Sequence, residues 1–592
     1  MRYDKGYLNI IYRKEDMRKL ISDLFILFFF LSFLQTTAQT DPLMTIMKDE
    51  LWREYNELQE KEYPPYYIDF KAIESYGASA SSTFGNTLSY DVDKSTSFAA
   101  TIRVGSYEFD NTHTFDNQMG MGSFYGGFGG GYNTLPRDLS PDLVKYSIWE
   151  TTNRLYKDVV ESYQNNLDNL DSTKLKEVDD FSHEEAVQYY EDRLPESSYE
   201  VDMNEWKARL NRYTAVFKGI PEITIATAGF AYSVDREYFV STEKSEITQN
   251  KRLSILTIIV LGRSTEDEFM PYSQAYYAFT PEGLPSDSVI LADMEKVKEK
   301  VLALCNAPKA EPYSGPAILS AEAAGVFFHE ILGHRIEGHR MEDSFNSKTF
   351  KDKVGKEVIN KSISVYSDPT QSNWQGTDLV GHYLYDDQGI AAQKVVNIEN
   401  GKLMNFLMSR KPIEGVNHSN GHGRSNLSMD PVARQSNLFV TAEDAESSES
   451  LRKMLVKECK KQKKDYGYYF KTVSGGLTNT MNYQPDYFNI FPIEVYRIYV
   501  DGRPDELVRG VNLIGTPLIM FSEIIAAGDE YEVFSGMCGA ESGSVPVSTI
   551  APAMLVRKVE TQNQFSYKPE WPVLPDPETE AIQQNNLNYD KN

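Results

Sequence analysis

The sequence predicts an α+β protein of two domains: a mixed helix and sheet amino-terminal domain, then a mainly antiparallel β carboxy-terminal domain. The chain has 592 residues, more than one ordinary hydrophobic core organises. Apolar and polar residues alternate over long segments on both sides of a proline-rich linker near residue 310, a pattern typical of half-buried strands. Helical patterns are concentrated before the linker, and after it one strong helix stands among short strands.

Composition and charge exclude several classes of protein. Hydrophobic residues make up 41% of the chain and aromatic residues 12%, which is enough for a packed interior and argues against general disorder. The 60 basic and 86 acidic residues give a net charge of −26. This charge argues against nucleic acid or an anionic membrane surface as the main partner, because both repel an acidic protein. The simplest interpretation is a soluble protein dispersed by its charge.

The first forty residues have the pattern of a secretory signal. A basic pair precedes the apolar run LFILFFFLSFL at 24–34, and small residues lead to a cleavage site near Gln39. This apolar run is shorter than the about 20 residues that a spanning helix needs. We therefore expect a signal peptide at 1–38, with Met17 as an alternative start. We also expect export to the periplasm or the exterior, and no stable membrane span once the signal is removed.

The amino-terminal domain is predicted over 41–308. A charged amphipathic helix follows the leader, strands fill much of 66–110, and a helical insertion lies near 139–215. Further strands precede a closing helix at 291–306. The glycine-rich segment 119–132 lacks the preceding strand and following helix of a phosphate-binding loop, so we predict a flexible loop there.

The carboxy-terminal domain is predicted over 309–560. Two hairpins are expected in it, at IENGKL and YVDGRPDEL, because Asn-Gly and Asp-Gly supply the positive φ that tight turns need. Residues 561–592 have the composition of a loose polar tail.

The first helix of this domain contains His329, Glu330 and His334, within AAGVFFHEILGHRIEGHRMED. Two histidines four residues apart lie about 40° from each other around a helix, whereas two that are five apart lie about 140° apart. His329 and His334 could therefore share a metal only if the helix is distorted. We predict a π-bulge, which Gly333 would absorb because it has no side chain. From spacing alone, a helix with a solvated His-Glu face explains the motif equally well.

The other residues of this helix have simpler interpretations. Ser320 is a good N-cap and Gly338 is a suitable C-terminal stop. Phe327 and Phe328 are expected in the core. A solvated face is predicted for the acidic residues Glu337, Glu342 and Asp343.

The chain has three cysteines, Cys305, Cys459 and Cys538. Three is too few for a disulfide framework in an exported chain of this size, and the odd count leaves at least one thiol that needs another role. Cys305 and Cys459 are predicted to be small buried hydrophobic residues.

The segment HEILGHRIEG resembles the H-E-x-x-x-H-x-x-E-G core of the TldD/PmbA family of zinc-dependent peptidases. Other segments follow that family's order and approximate spacing: DDQGIAAQKVVNIENGKL, GHGR, SGGLTN, FPIEVYRIYVDG, LVRGVNLIGTP and SGMCGAESGSVPVS. The resemblance is close over about 315–560 and more diffuse over 66–290.

The resemblance implies that His329 and His334 bind zinc, one ion per subunit, with Cys538 as the third protein ligand in the form of a thiolate. Glu330 would then be the general base. Two imidazoles, one thiolate and one open position form a tetrahedral site suited to catalysis rather than to structure alone.

The resemblance also implies candidates for substrate binding. His422 and Arg424 of GHGR lie near a loop that the family places by its active site, although a turn residue is the simpler interpretation of His422. The family commonly has CGKxGQ at the ligand cysteine. This chain departs from that pattern at Ala540, Ser542 and Gly543, which puts in doubt a substrate or oxyanion contact by the lysine but not the zinc.

Taken together, these observations predict an exported zinc metallopeptidase that hydrolyses extended or unfolded peptides. The resemblance implies a TldD-like two-domain subunit in a homodimer, or in a heterodimer with a related subunit. Two alternatives stay open: a non-catalytic peptide-binding partner with a structural zinc, and a zinc amidohydrolase acting on non-peptide amides. The intact motif counts against the first, because a structural site does not need Glu330.

Overall fold

The structure is a computed structural model that describes residues 41–114, 131–170, 178–342, 346, 348–481 and 487–564. The predicted signal peptide, most of the glycine-rich loop and the tail from 565 onwards lie outside the described residues, so these predictions are not tested.

A seven-stranded sheet forms the centre of the amino-terminal domain. Its strands are β1 (Pro65–Thr83), β2 (Asn86–Val104), β3 (Tyr132–Thr134), β4 (Gln188–Tyr190), β5 (Ile223–Ser241), β6 (Glu246–Arg263) and β7 (Phe269–Ala278). They are arranged in the order β3-β2-β1-β5-β6-β4, with β7 also paired to β6. All pairs are antiparallel except β4 with β6. The predicted strands of this domain are confirmed.

Helices cover one face of this sheet. They are α1 (Pro42–Leu58), α2 (Pro141–Asp168), α3 (Met203–Ala215) and α4 (Asp287–Asn306), with short 3₁₀ turns at Glu196–Tyr199 and Pro281–Gly283. Alternate residues of β1 share a face: Phe70 packs with α1 and α2, and Ala78 packs with α3 and α4. On the other face, Tyr67 meets Arg410 of the carboxy-terminal domain. The sheet thus lies between its helices and the second domain.

The carboxy-terminal domain contains a twelve-stranded, mainly antiparallel sheet. The strands of this domain are β8 (Ser314–Leu319), β9 (Ile363–Ser367), β10 (Asn373–Trp374), β11 (Thr377–Asp378), β12 (Val395–Glu399), β13 (Lys402–Leu403), β14 (Gly423–Arg424), β15 (Val432–Ala433), β16 (Asn437–Ala442), β17 (Ala445–Glu446), β18 (Tyr466–Asn479), β19 (Tyr487–Tyr499), β20 (Glu506–Val508), β21 (Val511–Gly515), β22 (Ile524–Ala540) and β23 (Gly543–Asn563). Strands β8, β18, β19, β21 and β23 close into a ring, because β8 pairs with both β18 and β23.

The described residues of this domain form three α-helices: α5 (Ala321–Ile331), α6 (Ser448–Lys461) and α7 (Pro517–Ser522), with 3₁₀ turns at Gly333–Arg335, Gly338–Met341 and Lys351–Lys353. The expectation of one helix among short strands is therefore wrong in two respects. Helices α6 and α7 were missed, and β22 and β23 form a long hairpin of 17 and 21 residues.

Two predicted hairpin turns and the burial of two cysteines are confirmed. In the first predicted hairpin, Asn400 and Gly401 have φ of +46° and +79° between β12 and β13. In the second, Gly502 has φ of +82° in the loop that joins β19 to β20. Cys305 and Cys459 are buried in hydrophobic clusters, as predicted. Among the described residues, no helix is both long enough and apolar enough to span a membrane.

Candidate metal centre

Helix α5 runs through the middle of the carboxy-terminal domain. It begins as predicted at Ser320, whose Oγ accepts a hydrogen bond from the Ala323 backbone N–H at 3.0 Å. Every residue of the helix except Glu322 is buried, and Phe327 and Phe328 belong to the core as expected. The helix packs against β18, β22 and β23, so its last turn is held rigidly where these strands meet.

The predicted π-bulge is wrong, and so is the predicted helix end at Gly338. The α-helix stops at Ile331, Leu332 leaves regular geometry with φ of −111°, and the 3₁₀ turn Gly333–Arg335 follows. This break turns the chain so that the rings of His329 and His334 lie 5.0 Å apart. A helix that ends and restarts as a tighter turn thus solves the spacing problem that a bulge would have solved.

Gly333 is required because a side chain would not fit at this position, rather than for its conformational freedom. A Cβ at this position would lie 1.8 Å from Oε1 of Gln435. The buried Gln435 side chain in turn donates from Nε2 to the His329 backbone carbonyl at 3.3 Å. The close approach of Gln435 therefore ties the end of α5 to the turn after it.

The structure brings His329, His334 and Cys538 together. Cys538 is on β22, and one potential ligand atom from each of the three buried residues lies within 4.8 Å of the other two. The Cys538 Sγ is 3.5 Å from His334 Nε2. Tetrahedral zinc with ordinary bond lengths would separate a sulfur and a nitrogen ligand by about 3.6 Å.

The chemistry of this cluster also fits a zinc ion. Within the part of the chain that the structure describes, the buried His329 Nδ1 has no hydrogen-bond partner. Burial raises the pKa of the Cys538 thiol, but His334 and His329 lower it well below its usual value, which favours the thiolate. Two imidazoles and a thiolate are a donor set that zinc prefers.

Glu337 is fully buried, which corrects its predicted place on a solvated face. Its Oε2 lies 3.2 Å from His334 Nδ1 and accepts from Arg340 Nε at 2.8 Å. Burial raises the pKa of Glu337, but His334 and Arg340 lower it to about 2, so the residue is a carboxylate. Of the other two predicted acidic residues, Glu342 is half-buried beside Lys351. Asp343 lies outside the described residues.

Arg434 holds the opposite side of the cluster. It is fully buried, and its Nη2 donates to the Cys538 carbonyl at 2.6 Å and to the Cys538 Sγ at 3.3 Å. Its Nη1 donates to Ser542 Oγ at 2.8 Å and to the Gly543 carbonyl at 2.9 Å. Arg434 and Gln435 were missed in the sequence because they lie about a hundred residues from the motif and no local pattern marks them.

The residues that depart from the family pattern form the turn of the β22–β23 hairpin, where Ala540 pairs with Gly543. Gly543 has φ of +93°, and a Cβ there would lie 2.5 Å from the Asn426 side chain. Next to this turn, Glu541 Oε2 accepts from Arg340 at 3.0 Å and its other oxygen meets His339 Nε2 at 2.5 Å. Glu541 is thus an ion-pair partner of Arg340 beside the cluster.

The Glu330 carboxylate lies where two cavities meet. Glu330 is 6% exposed, and burial raises the pKa of its carboxyl group above the ordinary value. One cavity, of about 1040 Å³, runs along α5, β18 and the middle of β22. The other, of about 570 Å³, runs past His334 and the end of β22. Gly476 of β18 packs against Glu330, and a Cβ there would be 2.7 Å from Glu330 Cγ.

The structure does not bring His422 and Arg424 to this point. His422 is fully buried, with Nδ1 3.0 Å from Asn420 Oδ1. Arg424 is buried, and its Nη1 donates to the Gln435 carbonyl at 2.6 Å and the Pro546 carbonyl at 3.0 Å. Arg424 lines a third cavity, of about 790 Å³, between the two domains. Substrate contacts by these two residues remain a prediction.

Comparison with known proteins agrees with this geometry. Residues 312–563 match the family model described as the PmbA/TldA metallopeptidase C-terminal domain. A metalloprotease of Archaeoglobus fulgidus is 28% identical over 240 residues, which cover 40% of this chain and 51% of that protein. A zinc metalloprotease TldD homolog of Saccharolobus solfataricus is 27% identical over 336 residues, which cover 55% and 68% of the two chains.

The fold is also that of a solved structure. TldE from Thermococcus kodakarensis superposes with a TM-score of 0.59 at 14% identity, covering 88% of this chain and 100% of that one. At this identity the likeness establishes the fold alone. The chain spans about half the length of the first curated relatives that it matches. The residues that match the family model, 312–563, include His329, His334 and Cys538. On the matched family model and the named relatives, residues 312–563 are similar to the C-terminal domain of the PmbA/TldD metallopeptidases.

Proposed function

We propose that this chain is a zinc-dependent peptidase that hydrolyses extended or unfolded peptides with Glu330 as the general base. The observation that supports the proposal is the position of the Glu330 carboxylate. It lies beside three potential zinc ligands and opens into two cavities that meet at this point. A site that used zinc only for structure would need neither this carboxylate nor the cavities.

His329, His334 and Cys538 are the residues that would hold the ion. When bound there, zinc supplies a Lewis acid that polarises the scissile carbonyl and makes water a better nucleophile near neutral pH. Glu337 orients the ring of His334 through Nδ1, and Arg434 holds Cys538 through its carbonyl and sulfur.

Glu330 moves the proton. It is buried and lines the cavities, which places its carboxylate where a water molecule can reach it. In the proposed reaction a carboxylate oxygen of Glu330 accepts a proton from the attacking water and then delivers it to the nitrogen of the leaving amine. Peptide and water are thereby converted into one carboxylic acid and one amine. The close contact with Gly476 keeps the Glu330 side chain in place during this transfer.

A peptide would be held as an added strand. Residues 531–540 of β22 pair with β23 on one side, and among the described strands none pairs with their other edge. The same residues line both cavities beside Glu330. Main-chain hydrogen bonds to a free edge do not depend on side-chain identity, so this mode of binding suits extended and unfolded peptides.

We also propose that the mature chain is exported and works as a homodimer or with a related subunit. The leader pattern supports export, and the shared fold with a TldE protein supports a search for a paired subunit. Amino-terminal sequencing of the exported chain should begin near Gln39. Light scattering of the purified chain should give the mass of a dimer, unless the second subunit is a different protein.

The decisive test combines zinc content with cleavage of an unfolded protein, for the wild-type chain, Glu330→Gln and the control Glu530→Gln. Glu530 is an exposed carboxylate that bonds Ser448. We expect about one zinc per chain in all three, and cleavage reduced by at least about a hundredfold in Glu330→Gln only. Equal cleavage by Glu330→Gln would refute the role of Glu330. Zinc and peptide binding without cleavage would indicate a non-catalytic partner, and cleavage of amide-bearing glycopeptides alone would indicate an amidohydrolase.

A further inference from the structure

The two cavities that meet at Glu330 differ in charge. We call the larger one the acidic arm, because the charged residues that line it away from the metal ligands are Glu322, Asp378 and Glu532. Among the described residues, no lysine or arginine lines it. We call the smaller one the basic arm, because Arg340, Lys411 and His339 line it, and Glu541 is its one carboxylate besides Glu330.

Two carboxylates of the acidic arm are close to each other. Glu322 is on α5 about two helical turns before His329, and its backbone N–H donates to Glu532 Oε2 at 3.0 Å. Burial and the neighbouring Glu532 raise the pKa of Glu322 to about 7. Lys471 of β18 lowers the pKa of Glu322, but its ammonium group lies 3.6 Å from Glu494. A cation placed in the arm would relieve the repulsion between Glu322 and Glu532.

Aromatic side chains form much of the remaining wall of the acidic arm. They are Tyr276, Tyr277, Trp374, Tyr531 and Phe534. The rings of Trp374 and Tyr531 come from different strands and lie 6.5 Å apart. Aromatic faces attract ammonium and guanidinium groups, and they also pack against the methylene chains that carry those groups. Carboxylates beside aromatic rings therefore suit a lysine or arginine side chain better than a small inorganic cation.

The basic arm presents the opposite environment. Arg340 and His339 both contact Glu541, so this carboxylate is already paired. A cationic side chain would meet the cations Arg340 and Lys411 there. Between the arms, Glu330 is buried, and within the described residues its carboxylate has no hydrogen-bond partner. Because Glu330 lines both cavities, a ligand that reaches it from one arm has room to continue into the other.

We propose that the acidic arm is a specificity subsite that takes a lysine or arginine side chain of the peptide, on one side only of the bond that is cut. This inference rests on the proposed peptidase function for the position of the cut. It adds a substrate class: peptides with a basic residue on the side of the acidic arm and a neutral or acidic residue on the other.

The cleavage test uses uncharged peptides in which lysine, norleucine or glutamate is moved through each position, with products mapped by mass spectrometry. Wild type should cut the lysine peptide about tenfold better than the norleucine peptide, in kcat/KM, at positions on one side of the cut. In the double variant Glu322→Gln and Glu532→Gln this ratio should fall to about one. Glu530→Gln, on the same strand but outside the cavity, should keep the wild-type ratio. A ratio of one in wild type, or a ratio that the double variant keeps, overturns the inference.

A binding measurement separates this inference from the proposed function. Fluorescence anisotropy with zinc-loaded Glu330→Gln should show the lysine peptide bound at least about fivefold more tightly than the norleucine peptide, and the two carboxylate changes should abolish the difference. If wild type cuts peptides and Glu330→Gln does not, but the Kd values are equal, the peptidase stands and the subsite falls. If nothing is cut, the Kd ratio still decides: a preference that depends on Glu322 and Glu532 supports the subsite, and equal or undetectable binding refutes it.

Discussion

The role of Glu337 can be tested by Glu337→Gln, which keeps the shape of the side chain and removes its charge. Three groups contact the Glu337 carboxylate: His334 Nδ1 at 3.2 Å, Arg340 Nε at 2.8 Å and Arg434 Nε at 3.6 Å. The residue is 0% exposed, so water cannot replace the lost charge. The change therefore affects both the orientation of a zinc ligand and the compensation of two buried cations.

Both effects have expected magnitudes. Removing one partner of a buried ion pair costs about 3–5 kcal/mol, because the remaining charge is left without compensation. We expect the lower end, about 3 kcal/mol, since Arg340 keeps its contact with Glu541 at 3.0 Å. Loss of the carboxylate behind a histidine ligand typically weakens metal binding about tenfold to a hundredfold, and we expect that loss here.

Zinc affinity is measured by competition with a fluorescent chelator, and stability by the denaturant midpoint of the zinc-free chain. The matched control is Glu342→Gln, which removes a half-buried carboxylate that lies 3.4 Å from Lys351. Lys351 keeps a second partner, Glu414, so the control should lose less stability than Glu337→Gln and should bind zinc as wild type does. If Glu337→Gln binds zinc as tightly as wild type and unfolds at the same denaturant concentration, the orienting role assigned to Glu337 is wrong.

Three further predictions concern other parts of the chain. Cys538→Ser should sharply reduce zinc per chain, measured by atomic emission, because a hydroxyl is a poor replacement for a thiolate; unchanged zinc would remove Cys538 from the site. Gly476→Ala should lower kcat at least about tenfold without loss of zinc, because its Cβ would displace the Glu330 carboxylate, whereas Gly536→Ala in the same cavity meets only ordinary contacts and should not. Burial raises the pKa of Glu54 to about 7, so the folded chain binds this proton more tightly than the unfolded chain and stability falls as pH rises from about 4.5 to about 7. Glu54→Gln should therefore stabilise the chain by up to about 3 kcal/mol at pH 8 and by little at pH 5, and an equal effect on the melting temperature at both pH values would contradict this.

The fold was predictable where local rules decide the structure. Alternation marked the amino-terminal strands, and Asn400-Gly401 marked a hairpin turn. Helix α6 was missed although Leu451, Leu455 and Cys459 form a narrow apolar stripe at helical spacing, because charged residues dominate the rest of that segment. The long β22–β23 hairpin was missed because Gly528, Asp529 and Glu530 interrupt the apolar pattern, and pairing with β23 restores the strand beyond them through a bulge.

The site was predictable only to the extent that its residues are neighbours in sequence or match a family motif. His329, Glu330 and His334 are close in the chain, and the resemblance supplied Cys538. The charged residues behind these ligands could not be found in this way, because their burial depends on where α5 ends. The α-helix ends at Ile331, and beyond the break at Leu332 Glu337 lies in the core, where Arg340 and Arg434 compensate its charge.

The placement of Glu337 and Arg434 therefore follows from one local event. Once Leu332 leaves helical geometry, His334 turns toward Cys538 and Glu337 follows it inward. A buried carboxylate requires a cation nearby. The Nε of Arg434 lies beside the Glu337 carboxylate, and Nη2 of the same guanidinium donates to the Cys538 sulfur. The two sides of the metal centre are thus connected through one arginine. For this reason Glu337→Gln should weaken zinc binding through Cys538 as well as through His334.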